Sequence, residues 1–260
     1  MSEKLLVHRE GHITTLTINR PEIRNAVDPE TMIAIREAVE ACEDDGTRVI
    51  VLTGAGGAFS SGADIKAALS MGITPDKAYQ ALTEAYAPAI QAIHRSRCPV
   101  IAAVDGIAAG IGLDLALVCD LRLASERAAF AELFINVGLV PDGGGTYTLP
   151  RLVGMGRALE LIFTGERIDA HRAYEIGLVN RVYPTDTFAD DVHAFAAMLA
   201  EKSPLALARA KRAVRESLNA TLEEAMAREA QFQYEIFNSE DGFEGFIAFL
   251  EKRKPRWKGR

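Results

Sequence analysis

Two glycine-rich segments, each following a short apolar run and each leading into a helical stretch, constrain this chain more than any other feature. Val49-Ile-Val-Leu52 runs into Thr53–Gly62, and Pro99-Val-Ile-Ala-Ala-Val104 runs into Gly106–Gly112. Short apolar runs without polar alternation read as strands covered on both faces, the kind found in parallel sheets. Strand, glycine turn, helix and strand again, at irregular spacing, predict an α/β chain with crossover connections. Small residues in such turns leave peptide N–H groups uncovered, and a helix start adds partial positive charge. Two turns brought together would aim two N–H donors at one carbonyl oxygen, making an oxyanion hole without side chains. Taken singly, each turn is better explained as close backbone packing.

The remaining pattern fits around this core. His12–Asn19 alternates as a strand, which Arg20-Pro21 ends. Asp28-Pro29 opens a helix whose buried face carries Met32, Ile35, Val39 and Cys42. A long helix is predicted over Pro75–Arg95, a short one over Leu113–Val118, and a strand over Cys119–Ala124. From Asp186 onward strands cease, and residues 188–200, 204–218, 222–237 and 243–252 all have helical periodicity. The chain therefore divides into an α/β core holding the site, residues 1–185, and a C-terminal helical region, residues 186–260. Its basic tail, Lys252–Lys258, reads either as a solvated end or as a phosphate contact.

Composition excludes several functions. A net charge of −7 argues against a nucleic-acid binder. No apolar run approaches the ~20 residues of a membrane span, and the N-terminus lacks the pattern of a secretory signal. Cys42, Cys98 and Cys119 are widely spaced, with no CxxC pair, and read as reduced thiols, two of them in the core, of a cytoplasmic protein. Gly57–Gly62 has phosphate-loop spacing, but Ala63-Asp64 follows where Lys and Ser or Thr are required. The five histidines form no paired ligands, so no metal is expected.

Together the two turns are specific. Arg20-Pro-Glu-Ile-Arg-Asn-Ala26, Ala58-Phe-Ser-Ser-Gly-Ala-Asp-Ile65, Asp105–Asp120 and Gly138–Gly154, in that order, resemble the enoyl-CoA hydratase/isomerase (crotonase) family, and the similarity spans essentially the whole chain. The resemblance implies an α/β crotonase (ClpP-like) fold of repeated ββα units with a C-terminal helical region that packs on a neighbouring subunit, in a homotrimer or dimer of trimers. It places the oxyanion amides at Ala63 and Ile111, where relatives usually have glycine at the second position. Arg24, Ala26, Ala63, Asp64 and Ile65 would hold the coenzyme A moiety of an acyl-CoA substrate, with Lys252 reaching across from the next subunit. No cofactor beyond that coenzyme A is implied.

Deprotonating a thioester beside its carbonyl also requires a positioned carboxylate. The family places such groups at positions that map to Asp114, Phe134 and Asp142. Phe134 can neither hold water nor accept a proton, which weakens a two-glutamate hydration mechanism and suggests an apolar acyl pocket. An aspartate at position 142 resembles the isomerase-like relatives. In the dehalogenase branch a histidine base lies where this chain has Ala87, so dehalogenation is not expected. The expectation is proton transfer on an enoyl-CoA by Asp142 or Asp114, with hydration by the two together, or a non-catalytic CoA- or RNA-binding role, as alternatives.

Overall fold

The computed structural model describes residues 3–260. Its strands are β1 (Leu5–Glu10), β2 (Ile13–Ile18), β3 (Val49–Gly54), β4 (Val100–Val104), β5 (Ile107–Ala109), β6 (Leu121–Ser125), β7 (Ala129–Ala131), β8 (Arg167–Asp169) and β9 (Arg181–Tyr183). The first sheet has the order β1-β2-β3-β4-β6-β9 and is parallel apart from the β1–β2 hairpin. A smaller sheet, β5-β7-β8, stands beside it. Sequence periodicity reveals β2 but not β1, because only Leu5 of that edge strand is buried. It also misses β5, which lies inside the second glycine-rich segment.

The helices are α1 (Pro29–Ala41), α2 (Ile65–Ser70), α3 (Pro75–Ala81), α4 (Ala87–Arg95), α5 (Ile111–Val118), α6 (Gly145–Val153), α7 (Met155–Thr164), α8 (Ala170–Glu175), α9 (Phe188–Ala200), α10 (Pro204–Ser217), α11 (Leu222–Phe237) and α12 (Glu244–Leu250). Asp28 caps α1 by accepting the Thr31 N–H at 2.9 Å, with Pro29 at the first position, as its sequence predicts. The predicted long helix is continuous, but Leu82–Tyr86 winds as a π-turn between α3 and α4. Pro88 supplies the reason: it has no N–H for the expected bond one turn back, so the helix widens there.

The central strands are covered on both faces. Ile50, Leu52, Val100, Ala102 and Val104 join the main core with α1, α4 and α5, whereas Val49, Val51, Ile101 and Ala103 pack against Phe188, Val192 and Ala196 of α9. This period-two split explains why the strands are apolar throughout. Strands do end before residue 186, yet α9 still seals the sheet, so the loss of strands does not mark the edge of the core. All three cysteines are buried and free.

Candidate active site

The two glycine-rich turns meet. Ser60 and Ala108 form an isolated parallel bridge, and the Ala109 N–H donates to the Ser60 carbonyl at 3.0 Å. Gly62, at φ 109°, holds a conformation closed to other residues, and a Cβ there would lie 3.0 Å from the Ala109 carbonyl oxygen. Among the described residues, neither the Ala63 nor the Ile111 amide finds an acceptor. Ile111 opens α5, a helix buried along its whole length, after Gly110 at φ 51°. The branched Ile111 side chain is accommodated because Gly143 opposes it: a Cβ on Gly143 would come within 2.3 Å of Ile111 Cδ1.

The Ala63 loop is fastened to residues 20–28. Arg24 and Asn25 are both left-handed, at φ 52° and 56°, a strained pair for residues with side chains. The fully buried Asn25 secures them: its Oδ1 accepts the Arg20 N–H at 2.9 Å, and its Nδ2 donates to the Ala55 and Ala58 carbonyls at 2.8 and 2.7 Å. Arg20 donates to the Ala26 carbonyl at 2.7 Å and to Asp64 Oδ2 at 2.8 Å. Asp64 Oδ1 caps α2 through the Ala67 N–H at 3.0 Å, and the Asp64 N–H donates to Val27. Asp64 is thus committed to the fold by its backbone and both carboxylate oxygens. The neighbouring Ile65 is exposed and Ala26 buried. The Tyr86 hydroxyl, on the π-turn, donates to the Val27 carbonyl at 3.1 Å, and Val27 bridges Ala63.

Asp114 and Asp142 lie together but in different settings. Asp114 is wholly buried and its Oδ2 accepts the Gly143 N–H at 2.9 Å. Burial is the main force raising its carboxyl to about 7, with the Asp142 charge adding to the push. Asp142 faces solvent, but protein on its flanks removes enough water to raise its carboxyl above the ordinary 3.8. Phe134, on a 3₁₀ turn over Leu133–Val137, reaches within 3.9 Å of where a Gly110 Cβ would stand, close to Ile111.

Sequence reasoning missed Glu132, a third carboxyl beside Asp114, which is 1% exposed. The signal was an acidic residue closing the apolar strand Ala129-Phe-Ala131 before Leu133-Phe134, a position where a charge has no water. Arg20 and Asn25 were also missed as clasps. Lys252 is exposed and left-handed after α12, with no hydrogen bond or ion pair to the other candidate residues.

With this geometry in hand, the comparisons with known proteins define the class. Residues 8–260 match the enoyl-CoA hydratase/isomerase family, and the chain belongs to it. It is 37% identical over 257 residues to a crotonyl-CoA hydratase of Syntrophomonas wolfei, covering 98% of each chain. It is 36% identical over 263 residues to a 1,2-epoxyphenylacetyl-CoA isomerase of Escherichia coli, covering 100% of both. The crystal structure of an enoyl-CoA hydratase from Bacillus anthracis superposes with a TM-score of 0.95 at 33% identity, covering 99% of this chain and 100% of that one. The fold is the crotonase fold, and the chain is an enzyme of the enoyl-CoA hydratase/isomerase type. No helix among the described residues is long and apolar enough to cross a membrane.

Proposed function

We propose that the protein shifts a proton along an enoyl-CoA thioester, with Asp142 as the proton carrier. The observation that supports this is the unequal access of the carboxyls: Asp142 is open to solvent, Asp114 is 0% exposed, and Phe134 occupies the remaining family position. Holding one water between two carboxylates requires both to reach it, whereas a proton shift requires only one. Asp142 takes a proton from the carbon beside or conjugated with the carbonyl, and the enolate oxygen rests on the Ala63 and Ile111 amides. The Asp142 acid then returns the proton to another carbon, so mass is conserved. Arg24, Ala26 and Ile65 line the route for the coenzyme A moiety, which enters as part of the substrate, and no other cofactor is used. Phe134 bounds the acyl end.

A panel of 2-enoyl- and 3-enoyl-CoA thioesters tests the reaction. The expected product has unchanged mass and a moved double bond. A gain of one water would replace isomerisation with hydration, the reaction named for the Syntrophomonas wolfei relative.

We further propose that α11 and α12 pack against another copy of the chain, in a trimer or dimer of trimers that lets Lys252 reach a neighbour's coenzyme A. Phe243, Phe246, Phe249 and Leu250 are 60%, 60%, 82% and 79% exposed, an apolar face that a single chain leaves uncovered. Phe249→Asp is expected to shift the light-scattering mass of the purified protein towards the single-chain 28.2 kDa. A wild type already at that mass would remove the proposal. Three free buried thiols suit a cytoplasmic setting.

A further inference from the structure

The turn formed by Gly143, Gly144 and Gly145 closes over a pair of buried carboxyls. Asp114 and Glu132 are 0% and 1% exposed. Apart from Asp114 Oδ2, which takes the Gly143 N–H, their oxygens (Asp114 Oδ1, Glu132 Oε1 and Oε2) have no well-aligned hydrogen-bond donor within the described chain, although the Gly145 N–H lies near enough to Asp114 to favour its charged form. Two of these oxygens lie beneath Gly145, where a Cβ would be 2.2 Å from Asp114 Oδ1 and 3.1 Å from Glu132 Oε1. The ionisable groups bearing on Glu132 are Asp114 and Asp142, both acidic. Two carboxylates offer only acceptors, so face to face and out of water they would repel and leave lone pairs unmet. A single proton removes the repulsion and pairs two of these oxygens, because a carboxylic acid can donate its O–H to the neighbouring carboxylate.

We propose that Glu132 is a positioning residue that stays a neutral carboxylic acid at neutral pH, donating its O–H to Asp114, and that this pair clamps the Gly143–Gly145 turn so that Asp142 is held towards the thioester. The clamping half rests on the reading of Asp142 as proton carrier; the protonation half does not. Glu132 is raised from 4.5 to about 9 by burial first, then by Asp114 and Asp142. A raised acid binds its proton more tightly in the folded state. Its stabilisation is complete below 4.5 and is lost as pH climbs towards about 9. Glu132→Gln keeps an N–H donor and has no proton to lose, so it flattens the decline of melting temperature across that window.

Infrared difference spectra of wild type against E132Q, without substrate at neutral pH, read the proton directly. The expected result is a protonated-carboxyl C=O band, shifted in heavy water, that the variant lacks; absence of the band overturns the protonation. For the clamp, E132Q is expected to stay within about threefold of wild-type kcat, whereas Glu132→Leu, which loses a hydrogen bond to a charged group, falls roughly ten- to a hundredfold. Equal activity of the Leu and Gln variants overturns the clamp. If the Leu variant does not fold, the melting profile of E132Q decides, and an unflattened profile overturns the proposal. Full activity of Asp142→Asn would remove the Asp142 reading while leaving the infrared answer intact.

Discussion

Asp142→Asn is expected to lower kcat by about 10²–10⁴-fold, the usual contribution of a positioned acid–base group. Asn preserves the size and polarity of the side chain but carries no proton between carbons. Affinity for a saturated acyl-CoA, measured by calorimetry, is expected to stay within a few-fold of wild type, because the coenzyme A loops are untouched. The pH–rate profile carries the second signature. Proton removal needs the ionised form, and desolvation raises the Asp142 carboxyl above its ordinary value. Activity of the wild type therefore climbs with pH through an acid limb above 3.8, and that limb disappears in the variant. Undiminished turnover would leave the site without its proton carrier.

Gly112→Ala tests the cradle rather than the proton. A Cβ there would lie 2.5 Å from the Ser60 carbonyl oxygen and 2.7 Å from Ser60 Cβ, in the seam where the two glycine turns touch. The carbonyl belongs to backbone already bonded to Ala109, so it cannot swing aside as a flexible side chain could. The turns must separate, carrying the Ala63 and Ile111 amides apart. Overpacking of this kind costs about 1–3 kcal/mol of stability. A misplacement near 1 Å costs roughly 10²-fold in rate. The expected outcome is a folded protein with a lowered melting temperature and a kcat reduced far more than its acyl-CoA affinity. Unchanged kcat would show that the two amides do not act together on one oxygen.

Much of the fold was legible because its signals are local. Val49–Leu52 and Pro99–Val104 lack polar alternation, and the structure accounts for this by covering them with α1, α4 and α5 on one face and α9 on the other. Asp28-Pro29 announced α1 through capping chemistry that needs no distant partner. By contrast β1 carries no repeating inward apolar residue, and β5 lies among glycines and alanines whose pairing with β7 is set by a remote segment. The π-turn before Pro88 was foreshadowed only by one missing N–H in an otherwise good helical pattern.

The sequence by itself determined the two glycine turns, the strands that deliver them and the carboxyl groups at positions 114 and 142, because strand pattern and turn chemistry act between near neighbours. Only the tertiary structure decided how those parts meet. It brought Ser60 against Ala108 so that two free amides lie in adjoining turns, and set Ile111 over a residue without a Cβ. It also gave two aspartates of one chemistry different surroundings, Asp142 open and Asp114 sealed against Glu132. Burial and the company of like charges are properties of a packed volume, and no spacing along a chain records them.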